Sequence, residues 1–103
     1  MSFLKDLFTV GKEVPAYLEK GAKVIDVRSE MEFKQGHPKG AINIPLDRLG
    51  SNKDKILSMN KPVIFCCASG NRSGQATSRM KKEGLDCING GAWTSVNSKI
   101  QNK

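Results

Sequence analysis

Val63-Ile64-Phe65-Cys66-Cys67-Ala68-Ser69-Gly70-Asn71-Arg72-Ser73 is the stretch on which the fold turns. Its first half is short, continuous and apolar, as a strand buried on both faces of a parallel sheet must be. Its second half is small and polar, and the pattern after it is helical. A parallel strand delivers its C-terminal end to the sheet edge where α/β proteins bind ligands. The following helix presents unsatisfied N–H groups and the positive end of its dipole there. A loop of Ala, Ser, Gly and Asn is small enough to curl several amides inward as an anion cradle.

Cys67 stands at the base of that cradle. Its thiolate is stabilised by the same donors, so its pKa is expected below the free value of about 8.5. Arg72 adds a permanent charge and a planar fork suited to an oxyanion. Such a site can attack a sulfane sulfur on an anionic donor and keep it as a persulfide on Cys67. The candidate binding set is Ala68, Ser69, Gly70, Asn71, Arg72 and Ser73. Ser69 and Ser73 are expected mainly to shape the loop, with Ser73 capping the helix or donating to the thiolate.

Outward from this segment, β-branched runs alternate with amphipathic stretches, the signature of a parallel sheet flanked by helices. Strands are expected at 23–27, 41–44, 62–66 and 85–89. Helices are expected at 2–8, from Pro15 to a stop at Gly21, from Ser29 to Gly36, in two short pieces over 47–59, and at 72–83. Ser29 with Glu32 spells a capping box. Gly90-Gly91 reads as a turn, and a terminal helix starts at Trp93 and frays from Asn97. Asp26 and Arg28, at the end of the first strand, are expected to form a structural network in which Arg28 pairs with Glu32.

The 103 residues fit a single domain, 1–103 with a core of about 10–98. No apolar run approaches the ~20 residues of a membrane span, and Lys5, Asp6 and Lys12 interrupt any secretory signal. The expectation is therefore a cytoplasmic protein. Seventeen Lys+Arg against ten Asp+Glu give a net charge of +7. That balance favours anionic partners without choosing among them. Zinc-finger spacing and RNA-binding aromatic motifs are missing.

Three cysteines make a poor disulfide framework. Because strand residues alternate faces, Cys66 is expected in the core; the alternative is a redox partner of Cys67. Cys87 is expected in the core, His37 in a loop, and Trp93 in packing. No Cys-x-x-Cys pair exists, so no metal site is expected.

The chain resembles the rhodanese family. The matching pieces are Ile25-Asp26-Val27-Arg28 with Glu30 and Glu32-Phe33, Gly36-His37 with Gly40 to Pro45, the loop Cys67 to Ser73, and Gly90-Gly91 near Trp93. The resemblance implies a five-stranded, mainly parallel sheet with helices on both faces. It also implies thiosulfate sulfurtransferase or related persulfide chemistry on Cys67. Two departures stand out. Only Ala92 separates Gly91 from Trp93, and Cys66 replaces the tyrosine-like residue often found before the reactive cysteine.

The expected partners are a small thiosulfate-like donor and a thiol or cyanide acceptor, or a protein sulfur partner. No cofactor, nucleic acid or membrane is expected, and the chain is expected to be a monomer. A non-turnover persulfide carrier or partner-binding module is the main alternative. A phosphatase or arsenate reductase is less favoured, because those loops place five residues between cysteine and arginine and here only Ala68 to Asn71 intervene.

Overall fold

The computed structural model describes residues 10–102. The first helix expected from the sequence, 2–8, lies outside them. Helix α1 (Val14–Glu19) opens with Pro15 in its first turn, where a missing N–H costs nothing. Strand β1 (Lys23–Asp26) leads to α2 (Glu30–Lys34), and the Ser29–Glu32 capping box is formed in both directions. Strand β2 is only Ile42–Asn43. Two 3₁₀ turns, Leu46–Arg48 and Gly50–Asn52, precede α3 (Lys53–Ser58). Strand β3 (Val63–Cys67) feeds α4 (Asn71–Lys82), then β4 (Cys87–Ala92) and α5 (Trp93–Gln101).

The four strands are all parallel, in the order β2-β1-β3-β4. The fifth strand implied by the resemblance is not among the described residues. The segment 10–13 turns directly into α1, so it extends neither sheet edge.

Every residue of β3 is buried, and alternation sends its side chains into two cores. Val63, Phe65 and Cys67 pack with Ile25, Ile56, Ala76, Met80 and Cys87, under α3 and α4. Ile64 and Cys66 pack with Val14, Tyr17, Val24, Ile88 and Val96, under α1 and α5. A fully buried Val, Ile or Phe of this kind contributes about 1.5–3 kcal/mol, so β3 is the strand that both layers depend on.

The last strand departs from expectation. Gly90-Gly91 is not a turn: β4 runs through it, and the pairing slips from Phe65↔Asn89 to Cys66↔Gly91. Gly90 is the extra residue of that bulge. A Cβ there would sit 2.7 Å from Ile64 Cγ2 and 2.9 Å from Val96 Cγ2, so only glycine lets β4 approach the core so closely. The slip carries the chain straight into α5, which stays helical to Gln101 rather than fraying from Asn97.

Candidate active site

Cys67 is the last residue of β3, and the loop 68–70 turns the chain into α4. Gly70 makes that turn in the left-handed region, at φ 104°, which disfavours any residue with a Cβ. The conformation aims its N–H at Cys67 Sγ, 3.1 Å away. One turn into the helix the Ser73 N–H reaches the same sulfur at 3.3 Å, and Ser73 Oγ lies 3.2 Å from it.

Cys67 is fully buried, yet its sulfur sits among donors and not only among aliphatic groups. Burial is the largest single influence on the thiol and opposes its ionisation. The Ser73 hydroxyl and the amides of Ser73, Gly70 and Ser69 together outweigh it, holding the thiol below its ordinary range. Cys66 shows the contrary case: burial, with the nearby Asp26 charge, pushes its thiol well above that range. Burial likewise lifts Cys87 to about 11. All three cysteines are free thiols, and Cys66 and Cys67 point to opposite faces of the sheet.

The loop residues differ in what they present. Ala68, Ser69 and Asn71 are exposed. Ser69 contributes its main-chain N–H, while the Asn71 side chain is engaged by Gln75 Nε2 at 3.0 Å. Arg72 is not the free fork expected from the sequence. Its Nη1 and Nη2 donate to Glu32 Oε1 at 2.7 Å and Oε2 at 3.0 Å. That fork, with the Ser29 amide, holds the Glu32 carboxyl down to about 2.

Glu32 is therefore taken, and Arg28 pairs elsewhere. Its Nη2 lies 2.7 Å from Asp26 Oδ2, and its main-chain N–H also donates to that carboxylate. The two are a buried ion pair. A second donation from Nη2 reaches the Gly36 carbonyl at 2.6 Å, and the guanidinium lies 4.7 Å from the Trp93 ring. Asp26, Arg28 and Trp93 thus lock the ends of β1 and α2 against the start of α5. The ion partner of Arg28 is thus Asp26 and not the expected Glu32 carboxylate; toward Glu32, Arg28 Nη1 reaches only the main-chain carbonyl, at 3.4 Å. His37 stacks on Phe33, with Nδ1 2.7 Å from the Phe33 carbonyl oxygen. Among the described residues no three His, Cys, Asp or Glu side chains gather in a way that could hold a metal ion.

Two participants escaped the sequence reading. One is the Glu32–Arg72 pair. The other is Asn89 of β4, which accepts from Ser73 Oγ at 2.7 Å and donates to the Gly70 carbonyl at 3.0 Å. Nothing local links Asn89 to the cradle, since its two partners there lie 16 and 19 residues away. Beside the loop, an open groove of about 610 Å³ is lined by Arg72, Ser29, Arg48, Leu46 and Arg79 among others.

A family model described as the rhodanese-like domain matches residues 11–94. The Bacillus subtilis protein YqhL is 44% identical over 63 residues, covering 61% of this chain and 49% of its own length. The chain thus spans about half of that relative. A rhodanese from E. coli, solved with anions, has a TM-score of 0.66 at 32% identity, covering 72% of this chain and 89% of that one. The human single-domain sulfurtransferase TSTD1 has a TM-score of 0.66 at 31% identity, covering 82% of this chain and 88% of that one.

Proposed function

The chain belongs to the rhodanese-like domain family, and from that premise we propose that it is a sulfurtransferase working through a persulfide on Cys67. The observation that carries the proposal is the ring of donors on one buried sulfur: the Gly70 and Ser73 amides and the Ser73 hydroxyl. These groups favour the anion over the thiol, and the anion is the nucleophile.

With thiosulfate as donor, the Cys67 thiolate attacks the outer, sulfane sulfur. A new S–S bond forms to Cys67, the S–S bond of thiosulfate breaks, and sulfite leaves with the electron pair. The product is Cys67–S–S⁻, and charge is conserved. Cyanide then takes the terminal sulfur as thiocyanate, or a thiolate takes it as a new persulfide, and the Cys67 thiolate returns. Both states are anionic, with the charge on Sγ in the thiolate and on the outer sulfur in the persulfide, so a site rich in inward-pointing donors suits both. Arg72 and the N-terminus of α4 make the approach attractive to an anionic donor, and an open groove lies beside Arg72. Glu32 moderates that attraction by occupying the Arg72 fork.

The test is the intact mass of the protein after exposure to thiosulfate. One added sulfur atom on Cys67, lost in Cys67→Ser, supports the proposal; an unchanged mass overturns it. Turnover with cyanide then separates a sulfurtransferase from a carrier that loads sulfur but releases it only to a protein. Appreciable hydrolysis of an aryl phosphate would favour the phosphatase reading instead.

A further inference from the structure

The Ser73 hydroxyl has one hydrogen and two acceptors within reach. Asn89 Oδ1 lies 2.7 Å from Ser73 Oγ, and Cys67 Sγ lies 3.2 Å from it. Ser73 is fully buried, away from bulk water.

The orientation of Asn89 is fixed by two main-chain groups. The Gly91 N–H donates to its Oδ1 at 2.9 Å, and its Nδ2 donates to the Gly70 carbonyl at 3.0 Å. Swapping the amide ends would set donor against donor at Gly91, so an acceptor always faces Ser73. The helix is shaped around this amide. Gly74 lies in the first turn of α4, where glycine costs up to about 1 kcal/mol against alanine. A Cβ on Gly74 would stand 3.2 Å from Asn89 Nδ2.

From this geometry we infer that Asn89 is a positioning residue for Cys67: it competes with the cysteine sulfur for the single hydrogen of Ser73. When Cys67 carries its proton, the S–H donates to Ser73 Oγ and the Ser73 O–H donates to Asn89. When Cys67 is a thiolate, the Ser73 hydrogen turns about the Cβ–Oγ bond onto the sulfur, and Asn89 keeps only Gly91. No proton travels along this relay, because an amide oxygen is not a base; the thiol proton leaves to water. Asn89 therefore stabilises the protonated state relative to the thiolate and sets how much nucleophile is present near neutrality. The inference deepens the sulfur-transfer reading and rests on it for its relevance to turnover, but the competition itself is testable without any sulfur donor.

The experiment is the pH dependence of Cys67 alkylation by iodoacetamide, followed by peptide mass, in the full chain. Asn89→Leu removes the competing acceptor while filling its space. The Gly70 carbonyl is still held by the Gly74 N–H at 2.9 Å, so the amides around the sulfur stay in place. The Ser73 hydrogen then has only the sulfur to turn to, and the midpoint falls by about one pH unit, tenfold in ionisation constant. Asn89→Asp, nearly isosteric, offers a stronger acceptor and a negative charge, and raises the midpoint.

A structural role alone would loosen the loop and raise the midpoint in Asn89→Leu as well. In a Ser73→Ala background the fall caused by Asn89→Leu disappears, because both residues act through one hydroxyl. A midpoint unchanged or raised by Asn89→Leu overturns the inference, and so does a fall that persists without Ser73. If Asn89→Leu does not fold, an unchanged midpoint in Asn89→Asp overturns it equally. If these shifts appear while thiosulfate adds no sulfur to the wild type, the positioning role stands and the proposed function fails.

Discussion

Cys66 and Cys67 are neighbours in β3, and both are fully buried, yet the two faces of the sheet treat their thiols in opposite ways. On the Cys66 face the surroundings are Val14, Tyr17, Ile64, Ile88 and Val96, and burial drives the thiol up. On the Cys67 face burial acts in the same direction, but the Ser73 hydroxyl and three amides reverse it. The difference is not depth. It is whether the chain brings hydrogen-bond donors to the sulfur, and only the loop and helix after β3 do so. One strand thus carries a thiol whose ionisation is opposed and one whose ionisation is favoured, separated by a single step of the pleat.

The same substitution at the two positions breaks this comparison most sharply. Cys67→Ser is expected to abolish sulfur loading from thiosulfate, read by intact mass. Cys66→Ser is expected to keep loading and to lower unfolding stability by about 1–3 kcal/mol, because it buries a hydroxyl in an apolar cluster; a denaturant titration reads that cost. Gly90→Ala probes the packing of the Cys66 face. Its methyl meets Ile64 and Val96, and overpacking of this kind costs about 1–3 kcal/mol, read as a lower Tm.

On the Cys67 face, Ser73→Ala removes the hydroxyl that does most to offset burial. The ionisation midpoint of Cys67 is expected to rise by about one pH unit, visible in the rate of thiol alkylation against pH. The smallest effect is at the rim. Glu32 is held at about 2, below its ordinary 4.5. Its depressed value stabilises the fold above the ordinary carboxylate range, and that contribution is lost as pH falls from about 4.5 towards 2. Over that window the stability difference between wild type and Glu32→Gln is expected to shrink. The partners are each about a third exposed, so the difference at neutral pH stays under about 1 kcal/mol.

What could be read from the sequence follows the range of the interactions involved. The cradle is local: strand, cysteine, small residues and helix start lie within eleven positions, so their types and order place Cys67, Gly70 and Ser73 together. The Ser29–Glu32 capping box is local too, and it forms as expected. Arg72 and Glu32 are 40 residues apart, and the capping motif gave no sign that Glu32 had a second task. Ser73 and Asn89 meet only because β4 is parallel to β3 and bulges after Asn89. Two adjacent glycines have the composition of a turn, and only the crowding of Ile64 and Val96 against Gly90 turns them into a bulged strand. Strands and helices were thus legible from pattern, whereas partners across the sheet required the register.

Directed donors, not exposure, favour the anion at Cys67. The thiolate absorbance of the folded Cys66→Ala/Cys87→Ala protein, titrated with acid and alkali, tests this. A midpoint clearly below the ordinary thiol value of about 8.5 is the expected result. A midpoint at or above that value would show that burial wins at this sulfur too, and would contradict the account.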